Sequence, residues 1–446
     1  MIVFRCWTVF VLSVALTAAE SAAPSTDHTA ISTTTATTAT TATTATIATT
    51  INTAEEAVAL ATARNDLIRA SAQQVAAAHF RADGLTGFVL PQVTVGADGG
   101  VAGGTRNRDY DEGIGNVTQL GAEATITQYL FGFGRLRAAR RNSAASIAGA
   151  EADADAVRRD IAYRAHIALA EVWLARELVA IATHRVEQRR EEQSDAQASR
   201  DIGITDGLDV AASEIAVVNA EEQLALATSA ESIALEALAE VVNLPVDQLR
   251  VGGTLTRPAA VTDALSALPL LVDAGSDLGR LRANRQLAAS RARGERANRL
   301  PVLSAFAGGD LRGDTVDDVD DGWAAGIRVD WHVFDGGTGR AAANAAEADA
   351  LAVASQIAAL RRQRLAQAAQ LNDRAADLAR RIAMKERIQA LSQTLYQEVR
   401  QRYEAGTEPL LRVNEANLTA FEAAYAVANL TYQEVVLAAE LQRFHE

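Results

Sequence analysis

The amino-acid sequence predicts a mainly α-helical protein with a smaller share of β-structure, built from a unit that occurs twice. Three observations lead to this fold class. Similar segments recur about 203 to 210 residues apart, a period too long for a solenoid. Very long stretches, such as Ala341 to Ala405, contain neither glycine nor proline. Before each of these stretches, short segments alternate between apolar and polar residues, which is typical of β-strands.

Residues 1–23 have the pattern of a secretory signal peptide. Arg5 precedes the apolar segment Cys6 to Leu16, and small residues follow at the expected cleavage zone. A transmembrane anchor is the alternative, but the apolar run is too short to span a bilayer. The chain has a single cysteine, Cys6, so the exported protein would have none. This excludes disulfide scaffolds and cysteine-ligated zinc sites.

Residues 24–53 form a low-complexity tract rich in threonine and alanine. It has no helical period and almost no charge. The composition favours a disordered tether, and it leaves glycosylation or a surface role open.

The charge and the motifs exclude several classes of function. A formal net charge of −14 argues against nucleic acid, which requires a basic face. No catalytic or phosphate-binding motif is present and the histidines are scattered, so we expect neither an enzyme nor a cofactor. The acidic stretch 313–322 has carboxylates that could bind calcium, but its spacing matches no known calcium loop. A solvated loop is the favoured interpretation.

The two halves, residues 54–250 and 251–446, repeat one order of elements. Each half is predicted to contain a helix, two strands and a long helical hairpin. "YLFGFGRLRAA" at residues 129–139 is echoed by "HVFDGGTGRAA" at residues 332–342. Each hairpin is predicted to turn at a glycine, Gly203 in the first half and Gly406 in the second. Apolar residues in steps of three and four predict a coiled-coil seam in the long helix that precedes Gly406: Ile388, Leu391, Leu395 and Val399.

The four predicted strands indicate that several copies of the chain assemble together. From Trp323 to Val333 every second residue is apolar, and the length suits a tilted membrane strand of about 9–11 residues. The segments 90–97, 117–130 and 300–307 show weaker versions of the pattern. A soluble sheet with one buried face would give the same alternation. Four strands cannot close a barrel, whereas three chains would supply twelve, and the long helices would continue the wall as a cylinder.

At this point the chain resembles the TolC family of outer-membrane efflux proteins. The resemblance rests on the order and spacing of "LPQV", "LFGFGR", "VFDGG" and the two glycine turns. It implies a homotrimer with a twelve-stranded barrel in outer-membrane lipid and a periplasmic α-helical barrel. Such a trimer is an exit duct for small molecules or for type I protein secretion, and it works with a periplasmic adaptor and an inner-membrane transporter of the RND or ABC type. The alternative from another class is a secreted helical-rod protein, such as an adhesin.

The resemblance also assigns candidate functional residues around the two turns. The adaptor-docking tips would be Ile202, Gly203, Ile204, Ala405, Gly406 and Thr407. The periplasmic gate would contain Asp209, Tyr403, Arg412 and Glu415. Two positions depart from the family pattern, because Glu408 stands in place of a gate arginine and Arg412 in place of an acidic residue. Arg412 could pair with Asp209 instead. For each charged residue, a solvated helix face remains the alternative.

Overall fold

The computed structural model describes residues 49–102, 117–203, 207–258, 272–273, 275–315 and 318–445. The predicted signal peptide and most of the Thr/Ala-rich tract lie outside these residues. The helices and strands follow in chain order: β1 (Thr49–Ile51), α1 (Ala54–Arg64), α2 (Asp66–Thr86), β2 (Gln92–Ala102), β3 (Val117–Phe131), α3 (Arg135–Asp201), α4 (Gly207–Val242), β4 (Leu249–Val251), α5 (Ser276–Asn298), β5 (Val302–Thr315), β6 (Asp318–Asp330), α6 (Thr338–Glu404) and α7 (Leu410–His445).

The two long hairpins have equal dimensions. Helices α3 and α6 contain 67 residues each, and α4 and α7 contain 36 residues each. The second hairpin follows the first at a constant offset, because α3 and α6 begin at 135 and 338 and α4 and α7 begin at 207 and 410. At 1.5 Å per residue, each long helix is roughly 100 Å long. The predicted duplication and the predicted long helices are therefore confirmed.

The helices form a wall whose two long members change partners along their length. Near the sheet, α3 packs between α2 and α5, and α5 also packs against α6. Towards the hairpin ends, α3 packs between α4 and α7, and α7 packs against α6. Alanines such as Ala165 and Ala239 are buried where the helices meet, which allows their axes to approach closely. The free edges of the lower wall are α4 on one side and α6 on the other.

A small parallel sheet joins the start of the described chain to the end of the first hairpin. Strands β1 and β4 pair from Thr49 with Leu249 to Ile51 with Val251, and Ile51 is 1% exposed. The sequence assigns residues 49–53 to a disordered tract, and the structure corrects this boundary. Ile51 is the apolar residue that ends the tract, and its burial in the core of the first hairpin orders the residues beside it.

The second sheet contains four antiparallel strands in the order β2-β3-β5-β6. The register places most apolar and most charged side chains on opposite faces, with Asp321 on the apolar face and Phe306 on the charged face as exceptions. One face carries apolar side chains that are all exposed in a single chain: Val93, Val95, Leu120, Ile126, Leu311, Trp323, Ile327 and Val329. The other face carries the charged residues Asp98, Glu123, Asp310, Arg312, Asp320 and Arg328. The predicted apolar and polar faces are therefore present in the folded sheet.

The ends of the strands differ from the sequence prediction. The acidic stretch 313–322 is mostly strand rather than a solvated loop, since β5 extends to Thr315 and β6 begins at Asp318. Pairing places Asp320 opposite Arg312 on the charged face and Asp321 opposite Leu311 on the apolar face, so the alternation of apolar and polar residues ends within the acidic stretch. Residues 316–317, between the strands, lie outside the described residues. Strand β6 ends at Asp330, before the predicted Val333.

None of the helices in the described part of the chain is both long enough and apolar enough to cross a membrane.

Candidate functional site

The two hairpins end in matching turns. Helix α6 ends at Glu404, and Gly406 follows with a φ of 75°. The N–H of Gly406 donates to the carbonyl of Tyr403 at 2.9 Å, and the N–H of Thr407 donates to the carbonyl of Arg402 at 2.9 Å. This pair of hydrogen bonds stabilises the C-terminus of a helix. It requires a residue in the left-handed conformation, which glycine adopts without strain. Gly203 has a φ of 78° and donates to the carbonyl of Arg200 at 2.9 Å.

The predicted tip residues are exposed where the structure describes them. Ile202 is 73% exposed, and the predicted tip residues 203 and 405–407 are also exposed. Ile204 lies outside the described residues. Two further apolar side chains extend the tips, because Leu208 is 76% exposed and Leu411 is 66% exposed. The sequence analysis missed both, although each opens the helix that follows its turn.

The structure brings two of the predicted gate residues together. Tyr403 and Asp209 are both partly exposed, and the hydroxyl of Tyr403 is buried without a hydrogen-bond partner in the described part of the chain. Burial raises the pKa of Tyr403, and the nearby carboxylates of Asp209, Asp195 and Glu192 raise it further. The hydroxyl therefore remains protonated and can donate to an acceptor from another chain.

The other two gate residues lie on the surface of α7 and contact each other. Arg412 pairs with Glu415 at 3.4 Å, with side-chain exposures of 66% and 57%. The sequence raised a pairing of Arg412 with Asp209, and the structure pairs Arg412 with Glu415. Glu408, at the other departing position, lies 3.9 Å from Arg402. Exposed pairs of this kind contribute about 0–1 kcal/mol, so they leave the charges available to other partners.

Beside the predicted gate residues is a largely buried polar cluster that the sequence analysis missed. It joins α3 to both α6 and α7, and we call it the polar lock: Gln188, Arg189, Glu192, Tyr396, Asn414 and Asn417. Within it, Arg189 donates to Glu192 at 2.7 Å and to the side-chain oxygen of Asn414. The hydroxyl of Tyr396 donates to Glu192 at 2.9 Å. Arg189, Glu192 and Tyr396 are only 2–3% exposed.

Burial controls the protonation of the polar lock. Burial first, and then the charge and hydrogen bond of Glu192, raise the pKa of Tyr396 to about 12. Tyr396 is thus a neutral donor to the Glu192 carboxylate at physiological pH. Asn417 contributes a second link, since its amide donates to the side-chain oxygen of Gln188 at 3.1 Å.

Arg400 forms a second connection between the hairpins, closer to the turns. Its guanidinium lies 3.0 Å from Glu191, 3.8 Å from Asp195 and 3.1 Å from Glu404. Burial raises the pKa of Asp195, and Arg400 opposes that shift. Together with the polar lock, this arginine holds α6 against α3 close to the hairpin turns.

No metal-binding group of three histidine, cysteine or acidic side chains occurs in the ranges that the structure covers. The chemistry of the site is that of hydrogen bonds and fixed charges at the end of a helical wall. Such groups can hold two hairpins together, present carboxylates to a pore and offer apolar tips to a partner protein.

The comparisons with known proteins agree with this architecture. The sequence profile of the family described as "Outer membrane efflux protein" matches residues 57–244 and 272–444. No curated protein sequence matches the chain. Three of the solved structures similar to this one are the outer membrane protein VceC of Vibrio cholerae, a membrane protein from Pseudomonas aeruginosa and the open state of the MtrE outer membrane channel of Neisseria gonorrhoeae.

The three structures share most of their length with this chain. VceC has a TM-score of 0.76 at 17% identity, over 88% of this chain and 96% of that chain. The Pseudomonas aeruginosa protein has a TM-score of 0.78 at 16% identity, over 88% and 93%. MtrE has a TM-score of 0.72 at 17% identity, over 88% of each chain. At these identities the likeness shows a common fold.

Proposed function

Because the chain belongs to the outer membrane efflux protein family, we propose that its two hairpin ends form the periplasmic mouth of an efflux channel. Membership confirms the resemblance found in the sequence. The protein is an outer-membrane channel of a tripartite efflux pump and not an enzyme. The helical-rod alternative is not supported. Family members act as trimers, with a periplasmic adaptor and an inner-membrane pump.

The exposed apolar stripes at the edges of the wall support assembly of three copies. On α4 the stripe contains Leu208, Ile215, Val218, Leu226 and Ile233. On α6 it contains Leu351, Leu365, Met384, Ile388, Leu391 and Leu395. Fully burying one such side chain contributes about 1.5–3 kcal/mol. When the α4 edge of one copy meets the α6 edge of the next, the contact is head-to-tail and closes into a ring.

The exposed apolar face of the sheet supports its position in outer-membrane lipid. Apolar side chains outside and charged side chains inside are the pattern of a membrane strand assembly. Strands β2 and β6 have free edges in a single chain, and three copies together contribute twelve strands.

The gate proposal rests on the unpartnered Tyr403 hydroxyl beside Asp209. We assign Asp209, Tyr403, Arg412 and Glu415 to the constriction of the mouth, where neighbouring copies bring their charges together. Carboxylates around a narrow aqueous pore favour cations over anions. Single-channel recordings on the purified trimer test this assignment. Asp209→Asn with Glu415→Gln should lower the ratio of potassium to chloride permeability.

A matched control removes carboxylate charge far from the mouth. Asp247 is an exposed residue in the turn before β4, and Asp247→Asn should leave the permeability ratio unchanged. If the double variant also leaves the ratio unchanged, these carboxylates do not line the constriction.

The exposed tips support docking of the adaptor. Ile202, Leu208 and Leu411 offer apolar contacts around glycine turns that place them at the extreme end of the molecule. We propose that the adaptor connects these tips to a pump of the RND or ABC type, and that the duct carries small molecules or secreted protein. Since the chain's single cysteine is Cys6, a cysteine introduced at Ala405 gives a clean cross-linking probe. It should cross-link to the adaptor, while a cysteine at Asp247 should not.

A further inference from the structure

A cluster of arginines, here called the arginine belt, lies at the junction between the sheet and the long helices. Its members lie in the first turns of α3 and the last turns of α5: Arg137, Arg140, Arg141, Arg293 and Arg296. All five are exposed. In a chain with a net charge of −14, this concentration of positive charge is unusual.

Carboxylates from the same chain neutralise only a small part of the belt. Arg296 pairs with Glu347 at 2.6 Å. In the ranges that the structure covers, the other four arginines form no salt bridge. Glu295 is the acidic residue within the belt's own stretch of α5. The belt therefore presents four unneutralised guanidinium groups per chain.

The five arginines lie on one side of the helical wall. Two contacts mark the opposite side, where Arg280 pairs with Asp153 at 3.5 Å and Arg135 donates to the carbonyl of Asn298 at 2.6 Å. At 100° per residue, the belt arginines lie more than about 100° around their helices from Asp153 and Arg280. Both α3 and α5 have neighbours from their own chain on both flanks near the sheet, so an adjoining copy does not cover this face.

The belt residues on α3 differ from Arg135 in their contacts. Arg135 is only partly exposed because its guanidinium donates to carbonyls at the end of α5, whereas Arg137, Arg140 and Arg141 are exposed. The side chains of Arg280 and Asp153 are 49% and 52% exposed, so both sides of the wall are open at this height in a single chain. That the belt lies on the outer surface of the tube is part of the proposal below.

Aromatic residues fix the height of the belt relative to the membrane. Phe131, Phe133, Trp331 and Phe334 are 51–88% exposed at the base of the sheet. Aromatic girdles of this kind lie at the membrane–water interface. The headgroup layer beyond the hydrocarbon is roughly 5–8 Å thick on each side. Arg137 lies in the first turn of α3, four residues after Phe133 in the chain, which brings the start of the belt to headgroup level.

We propose that the arginine belt binds the headgroups of anionic phospholipids in the periplasmic leaflet of the outer membrane. The inference rests on the proposed membrane position of the sheet. Guanidinium groups bind phosphate in a bidentate manner, and each basic residue near an anionic surface strengthens binding about fivefold. Bound lipid would fix the height of the channel in the bilayer and thus the reach of its tips into the periplasm.

Native mass spectrometry of the purified full-length trimer, titrated with phosphatidylglycerol or phosphatidylethanolamine, tests the proposal. Wild type should bind phosphatidylglycerol more tightly, and the preference should weaken as salt rises. Replacing Arg137, Arg140 and Arg141 by glutamine should reduce phosphatidylglycerol affinity on the order of 100-fold. The control replaces Arg158, Arg362 and Arg387 by glutamine, which removes the same charge at least about 30 Å below the strands. It should retain the preference.

Three outcomes would overturn the proposal. The first is equal binding of both lipids by wild type at low salt. The second is an equal loss of preference in the control. The third is a belt variant with unchanged lipid binding and altered anion permeability, which would place the arginines inside the duct. Conductance of the same wild-type sample separates this test from the proposed function, because a trimeric pore without lipid preference refutes only the belt.

Discussion

Removing one hydroxyl from the polar lock should loosen the two hairpins from each other. In the variant Tyr396→Phe, Glu192 loses the donor that now lies 2.9 Å from its carboxylate. The substitution keeps the ring and its packing, and it leaves the bond from Arg189 at 2.7 Å in place. The change is therefore confined to the contacts of one hydroxyl, which are its bond to Glu192 on α3 and its contact with Asn417 on α7.

The size of the effect follows from the burial of both partners. Glu192 is 2% exposed and Tyr396 is 3% exposed, so water cannot replace the lost donor. A hydrogen bond to a charged group contributes about 1.5–3 kcal/mol. If separation of the hairpins breaks this bond, the separated state becomes roughly 10- to 150-fold more populated.

Hydrogen–deuterium exchange on the detergent-solubilised trimer measures this population. Amides in residues 185–200 and 396–417 should exchange faster by that factor, while the sheet and residues 161–175 should be unaffected. Tyr425→Phe is the matched control, since it removes the same hydroxyl from a side chain on α7 that is 43% exposed. Protection that stays within about twofold of wild type, or that falls equally in both variants, would show that the lock does not hold the hairpins together.

Three more predictions concern the turns, the edges of the wall and the tyrosine. Gly406→Ala should destabilise the second hairpin end by about 1–2 kcal/mol, because φ is 75° there, and should lower the thermal midpoint of unfolding. Gly84 is a helical glycine with open space around it, so Gly84→Ala should not lower the midpoint. Leu391→Glu with Leu395→Glu should shift the trimer to monomer in sedimentation analysis. The control Gln393→Glu with Gln397→Glu adds the same two carboxylates at exposed positions on the other side of the helix, and it should leave the trimer intact. The folded pKa of Tyr396 is raised from 10.0 to about 12, so its contribution to stability is fully present below pH 10 and is lost as pH rises towards 12. The thermal midpoint of wild type should therefore fall more steeply over that range than the midpoint of Tyr396→Phe, and parallel curves would contradict the assignment.

The sequence predicts the hairpins well because their signals are local or repeated. Gly203 and Gly406 end glycine-free stretches, and both take the left-handed conformation that a helix end requires. The alternation around Ile327 likewise predicts the face of its strand. The ends of the strands are harder to predict. The composition of the acidic segment 313–322 assigns it to a loop, but pairing between β5 and β6 extends both strands into it.

The polar lock could not be predicted because its partners are far apart in the chain. Tyr396 is 204 residues from Glu192, and Asn414 is 225 residues from Arg189. Taken alone, each of these polar residues is of a type that is common on the solvated surface of a helix. Only the packing of α3 against the second hairpin brings them together. Ile51 is a similar case, since its strand exists only through pairing with β4.

The equal lengths of the two hairpins make the reach of the channel adjustable. Since α3 and α6 both contain 67 residues, the two turns end level with each other. Cutting seven residues from each of the four arms would remove about two helical turns, roughly 10 Å, and keep every seam in phase. Shortening only one hairpin would leave the two turns at different heights. Because the unit is duplicated, equal changes in both hairpins alter the length of the tube and fit it to a periplasm of a different depth.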